Sequence, residues 1–199
     1  MRPGRDVTRL VVLVLAVVLA AGGCGAAPTP VSTPVPTPVS TPVPTPGLLV
    51  DARLLDVLPT EIDGVALEPD PTTAAEIATD PTLADFAEAI AVALAISPGT
   101  SSGDDLAIVS VIRLHPGVFG DAWFRAWRAT YDAAACEVAG GVQGQPSEVE
   151  IGGRTAYVGT CTGDAHTYHV HLADPTLIVS VTAAGTRSFG ELVVAGLAE

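Results

Sequence analysis

Three closely spaced histidines, His166, His169 and His171, are the side chains of this sequence best suited to chemistry. In an extended strand His169 and His171 point to one side, while Tyr168, Val170 and Leu172 point to the other. Such an H-x-H pair holds zinc or copper when another ligand converges on it, and Asp164 and His166 are the near candidates. Burial of the apolar side would leave His169 and His171 together in solvent. The expected state of that pair is unliganded, with metal binding as the alternative. A second candidate is Gly99-Thr100-Ser101-Ser102-Gly103, which fits the G-x-S-x-G pattern of esterase nucleophile elbows. That elbow needs a strand before the serine and a helix after it, so that the hydroxyl stands exposed at a strained turn. Here the flanking pattern reads helix and then strand, which favours a flexible Gly/Ser loop. No nucleophile, base and orienting group can be named together, so no catalytic residue and no cofactor are assigned.

Phe119, Trp123, Trp127 and Tyr131 recur at about one helical turn. Such a stripe stacks sugars when it lines a groove, but its commoner use is to lay a helix on a sheet. Asp104-Asp105 and the pair Glu148/Glu150 lack the spaced acids and glycine of a calcium loop, and read as solvated charge. Besides Cys24, the cysteines are Cys136 and Cys161. They lack the close C-x-x-C spacing of redox or zinc sites, so a structural disulfide is expected.

The elements that would position these groups follow from periodicity and turn residues. Leu48 to Leu58 reads as one short helix, and Asp63-Gly64 as a turn. Asp70-Pro71 and Asp80-Pro81 each place an N-cap acid before a proline at the first helical position. After Asp80, the spacing of Leu83, Phe86, Ile90 and Leu94 predicts a second helix, stopped at Ser97-Pro98-Gly99. Leu106 to Leu114 alternates as a strand, and Val118 to Val138 reads as a helix with Asp121/Arg125 and Arg128/Asp132 pairs on its wet side. A meander follows: Val149 and Ile151, a Gly152-Gly153 hairpin turn, Thr155 to Cys161, His166 to Leu172, and Leu177 to Val181. A last helix would turn Phe189, Leu192, Val193 and Leu197 inward. The expected class is α+β, an antiparallel sheet of about five strands with helices packed on one face.

The N-terminal quarter carries a different kind of signal. Arginines precede an unbroken apolar run from Leu10 to Ala21, and Leu19-Ala20-Ala21-Gly22-Gly23-Cys24 closes it with small residues before a cysteine. This arrangement of charged start, apolar middle and small residues resembles the signal peptide and lipobox of bacterial lipoproteins. The resemblance implies diacylglycerol on the Cys24 sulfur, cleavage before Cys24, and a mature chain held on the extracytoplasmic side of a membrane. Residues 28–46 then repeat PTPVSTPV twice and break off. Proline at every second or third position excludes helix and sheet, leaving a disordered, polyproline-like stalk of about 3.1 Å per residue. The expected organisation is a signal peptide over 1–23, a lipid-anchored Cys and Pro/Thr/Val/Ser-rich linker over 24–46, and a single domain over 47–199.

Charge narrows the choice of partner. The chain has a formal charge of −13. Cleavage would remove three of its nine arginines and one of its 22 acids, leaving −15. That balance excludes electrostatic binding of nucleic acid. There is no lysine and no asparagine, and hence no N-glycosylation acceptor. The expected function is a non-catalytic binding or accessory domain with an extracytoplasmic ligand or protein partner. The alternative is a small envelope hydrolase or metal-binding protein using Ser101 or the His169/His171 pair.

Overall fold

The computed structural model describes residues 47–97 and 104–198. Its first elements are short: β1 (Leu49–Val50), a 3-10 helix (Ala52–Val57), the hairpin β2 (Glu61–Ile62) and β3 (Val65–Ala66), and β4 (Glu68–Pro69). The single helix expected over 48–58 is thus a strand followed by a 3-10 turn, opened by the Asp51 side chain accepting from the Arg53 amide. Helix α1 (Pro71–Ile77) begins where the sequence placed it, with Asp70 accepting from the Thr73 amide and Pro71 at the first turn. At Asp80-Pro81 the same dipeptide makes only a turn, with Asp80 accepting from the Thr82 amide.

The helix expected after Asp80 is instead the long strand β5 (Ala87–Ser97). Alanine at 87, 89, 91, 93 and 95 alternates with Glu88, Ile90, Val92, Leu94 and Ile96. That is a period of two, hidden by alanine's helix propensity and by the four-residue spacing of Phe86, Ile90 and Leu94. Its neighbour β6 (Asp105–Leu114) follows, then the long helix α2 (Asp121–Val138). After α2 come β7 (Ser147–Ile151), β8 (Arg154–Thr160), β9 (Ala165–His171), β10 (Leu177–Ala184) and α3 (Phe189–Ala195). Gly152 and Gly153, at φ of 60° and 80°, make the β7–β8 turn. Both sit where a side chain would be strained, as that tight hairpin demands.

These strands form an eight-stranded sheet in the order β1-β5-β6-β10-β9-β8-β7, with β4 also on the outer edge of β5. All pairings are antiparallel except β1 with β5. The sheet is larger than the five strands expected, and helices cover both of its faces rather than one. On one face, Ala91, Val111, Val179 and Val170 lie in register across four strands. Leu54 of the 3-10 helix and Phe189, Val193 and Val194 of α3 close over that face. Leu192, expected inward, is 38% exposed. On the other face Ile90, Val92, Ile112 and Ile178 pack with Ala74 and Ile77 of α1 and Phe124 of α2. Each fully buried Val, Ile or Phe contributes about 1.5–3 kcal/mol relative to exposure, so both layers are needed to hold the sheet. Among the described residues, no helix is long and apolar enough to cross a membrane.

Candidate functional site

Helix α2 decides the fate of the histidines. It crosses the β8–β9–β10 side of the sheet with Phe124, Tyr131, Asp132, Ala135 and Cys136 buried beneath it. His169 lies under this helix and is 1% exposed, which overturns the expected solvent-facing pair. The apolar side of β9 is buried as the alternation required, with Tyr168, Val170 and Leu172 in one core. What alternation could not reveal was a second layer covering the opposite side.

Beneath α2 three side chains form a continuous relay. Ser180 and His169 are directly paired across β10 and β9, and the Ser180 hydroxyl lies 3.0 Å from His169 Nδ1. His169 Nε2 lies 2.8 Å from Asp132 Oδ1, and the Thr167 hydroxyl donates to the same oxygen at 2.5 Å. A carboxylate only accepts, so Nε2 carries the imidazole proton and donates to Asp132, while Nδ1 accepts from Ser180. Burial holds the His169 pKa below its ordinary value, against the opposing pull of Asp132, and the neutral ring is the form these partners satisfy. Trp127 and Tyr131 meet the imidazole edge-on at 5.2 and 4.9 Å. Tyr131 itself hydrogen-bonds Thr182 at 3.0 Å, and burial raises its pKa to about 12.

Asp132 reaches the sheet because β8 has no side chain below it. A Cβ on Gly159 would stand 2.6 Å from Asp132 Cγ and 2.4 Å from Thr167 Oγ1. The Arg128/Asp132 pair assigned to the wet side therefore does not exist. Asp132 is 3% exposed, and Arg128 instead lays its guanidinium over Tyr157, 3.8 Å from the ring centroid. One helical turn beyond Asp132, Cys136 bonds Cys161. The sequence did hold a signal for this arrangement: a bridge from Cys136 to the meander turns its helix face toward the sheet, and Asp132 shares that face at i−4.

Ser180, His169 and Asp132 have the donor–acceptor order of an acyl-transfer triad, but all three are buried under α2. Their exposures are 0%, 1% and 3%, and none of them lines the surface hollows described below. In this arrangement the relay pins α2 to the sheet. The other proposed site residues are dispersed. His166 lies on the opposite face of β9 and lines a hollow with Tyr168 and Glu191. His171 stacks on Phe119, ring centroids 3.5 Å apart, with Nε2 3.3 Å from the Pro175 carbonyl oxygen. Among the described residues no three His, Cys, Asp or Glu side chains converge on a possible metal position. The Gly99–Gly103 motif, with Ser101, lies outside the described residues, as does Cys24. Asp105 is buried and anchors the turn before α3 by accepting from the Thr186 and Arg187 amides. Glu150 accepts from Thr155 across the hairpin.

The aromatic stripe is a ladder facing the sheet: Phe86 meets Trp123 at 5.5 Å, Trp123 meets Trp127 at 6.0 Å and Trp127 meets Tyr131 at 5.6 Å. Phe124, which the one-turn spacing passed over, is the deeper residue at 3% exposure. It separates two surface hollows between α2 and the β7–β8 hairpin. One, of about 630 Å³, contains Phe119, His171 and Arg154; the other, of about 460 Å³, contains Arg125, Arg128 and Glu148. Both share Asp121, Phe124 and Tyr157. Comparison with protein-family models, curated proteins and solved structures finds no match to this chain.

Proposed function

We propose that this chain is a membrane-anchored extracytoplasmic lipoprotein whose folded domain is a non-catalytic binding or accessory module. The observation that carries the reading is the Cys136–Cys161 bond. Such cross-links persist in oxidising compartments, which is where a lipobox ending at Cys24 would send the chain. The proline-rich repeat between Cys24 and β1 would hold the domain away from the bilayer. Burial of the Ser180–His169–Asp132 relay favours binding over hydrolysis, because catalysis there would require lifting α2 against the disulfide. Open hollows of several hundred cubic ångströms beside α2 are of the size that receives small ligands.

The test is fractionation of cells expressing the full chain and Cys24→Ser. The wild type should partition with membranes and incorporate labelled fatty acid, while the variant should be released or remain unprocessed. A variant that matures and sediments with membranes like the wild type overturns the anchor.

A further inference from the structure

The cations of this acidic domain are unevenly used. Arg113 pairs with Asp51 and Arg187 with Asp63. Arg125, Arg128 and Arg154, all lining the two hollows beside α2, make no ion pair among the described residues. Arg128 is the most constrained of them. Its guanidinium is pressed over Tyr157 and lies 4.9 Å from the Phe124 ring centroid, and its Nε is buried without a hydrogen-bond partner. A buried donor left unmade is costly, so Arg128 is held against these rings at a desolvation penalty, beside an open hollow. Stacking on Tyr157 fixes the plane of the guanidinium fork, which suits two-point recognition of a planar or tetrahedral oxyanion. Tyr157 lines the same hollow and brings a phenol, which can donate a hydrogen bond to an anion. Asp121 and Glu148 face the hollow too. Glu148 lies close enough to Arg128 to act on its charge, so a bound oxyanion competes with that carboxylate for the guanidinium.

We propose that the cleft between α2 and the β7–β8 hairpin binds an oxyanion, the carboxylate or phosphate of a small solute, on Arg128, with Tyr157 and Arg125 beside it. The second hollow, with the Phe119–His171 stack and Arg154, receives the rest of that solute. This extends the binding reading above by naming the chemistry of its ligand, and it makes no use of the lipid anchor.

The experiment uses the full-length chain extracted in non-ionic detergent, titrated calorimetrically with sodium phosphate and separately with citrate at an ionic strength fixed with sodium chloride. At least one probe should saturate with a Kd of about 1 mM or tighter, since fewer than two charge-assisted bonds would be weaker than that. Saturation by phosphate alone assigns a phosphate ligand; saturation by citrate alone assigns a carboxylate. Arg128→Gln should weaken binding by about tenfold or more, the loss of one charge-assisted hydrogen bond. Arg53→Gln, on the exposed side of the 3-10 helix, should bind as the wild type does. Should Arg128→Gln fail to fold, the double variant Arg125→Gln/Tyr157→Phe is read in its place with the same expected loss. Saturation by neither probe up to about 10 mM overturns the proposal. So does binding that survives loss of these side chains. Failure of the Cys24→Ser fractionation leaves this titration unaffected, so the two readings fail separately.

Discussion

Replacing His169 with alanine tests the buried relay most directly. The change deletes the hydrogen bond to Asp132, worth about 1.5–3 kcal/mol because one partner is charged, and the bond from Ser180, worth about 1 kcal/mol. It also leaves a cavity under Trp127 and Tyr131, for which large-to-small core substitutions cost about 2 kcal/mol or more. These effects overlap, and a total of about 4 kcal/mol is expected, a large share of the 5–15 kcal/mol typical of a whole domain. With an m-value of about 2 kcal/mol/M in urea, the midpoint should fall by about 2 M. The assay is equilibrium urea unfolding with the disulfide intact, followed by tryptophan fluorescence, since Trp127 touches His169. The pH dependence supplies a second readout. Burial lowers the folded-state pKa of His169, so below the unfolded value of 6.5 the unfolded chain binds a proton that the folded chain refuses. This contribution is therefore complete above pH 6.5 and declines as the pH falls below it. His169→Ala should lose that part of the slope. A midpoint shift under about 0.5 M, or an unchanged acid slope, would refute the buried assignment and restore the solvent-facing one.

Three further outcomes follow from the same geometry. His171→Gln should cost about 1 kcal/mol or less by the same unfolding assay, because only its stack on Phe119 and a long contact to Pro175 are lost. Gly159→Ala should destabilise by more than about 2 kcal/mol, since the added methyl meets the Asp132 carboxylate and must break the Thr167 and His169 bonds to relieve the clash. The double variant Gly159→Ala/Asp132→Ala should recover part of that loss in a double-mutant cycle. Removing both Cys136 and Cys161 should cost about 3.5 kcal/mol on the loop-entropy estimate for a separation of 25 residues, read as a drop in thermal midpoint.

Local pattern carried the regular parts of this fold. Strict alternation marked β6 and β9, the Gly152-Gly153 dipeptide marked the β7–β8 turn, and Asp70-Pro71 opened α1, because each depends on residues a few positions apart. The cysteine pair was legible for another reason: Cys136 and Cys161 lack the close spacing of a redox or zinc site, which left a structural bridge between them as the expectation. Tertiary structure decided β5, where the Ala89–Ala95 side had to be small enough to accept the 3-10 helix and long pairing with β6 outweighed helix propensity. It also decided the site. Alternation along β9 stated that His169 and Tyr168 face opposite ways, but a face becomes solvent or core only when another element covers it. Asp132, His169 and Ser180 come from three separate elements, and Asp132 stands 37 residues before the His169 it meets, beyond the reach of any local pattern. Their meeting is a product of packing: α2 over β8–β10, Gly159 leaving room below Asp132, and Cys136 holding the helix in place.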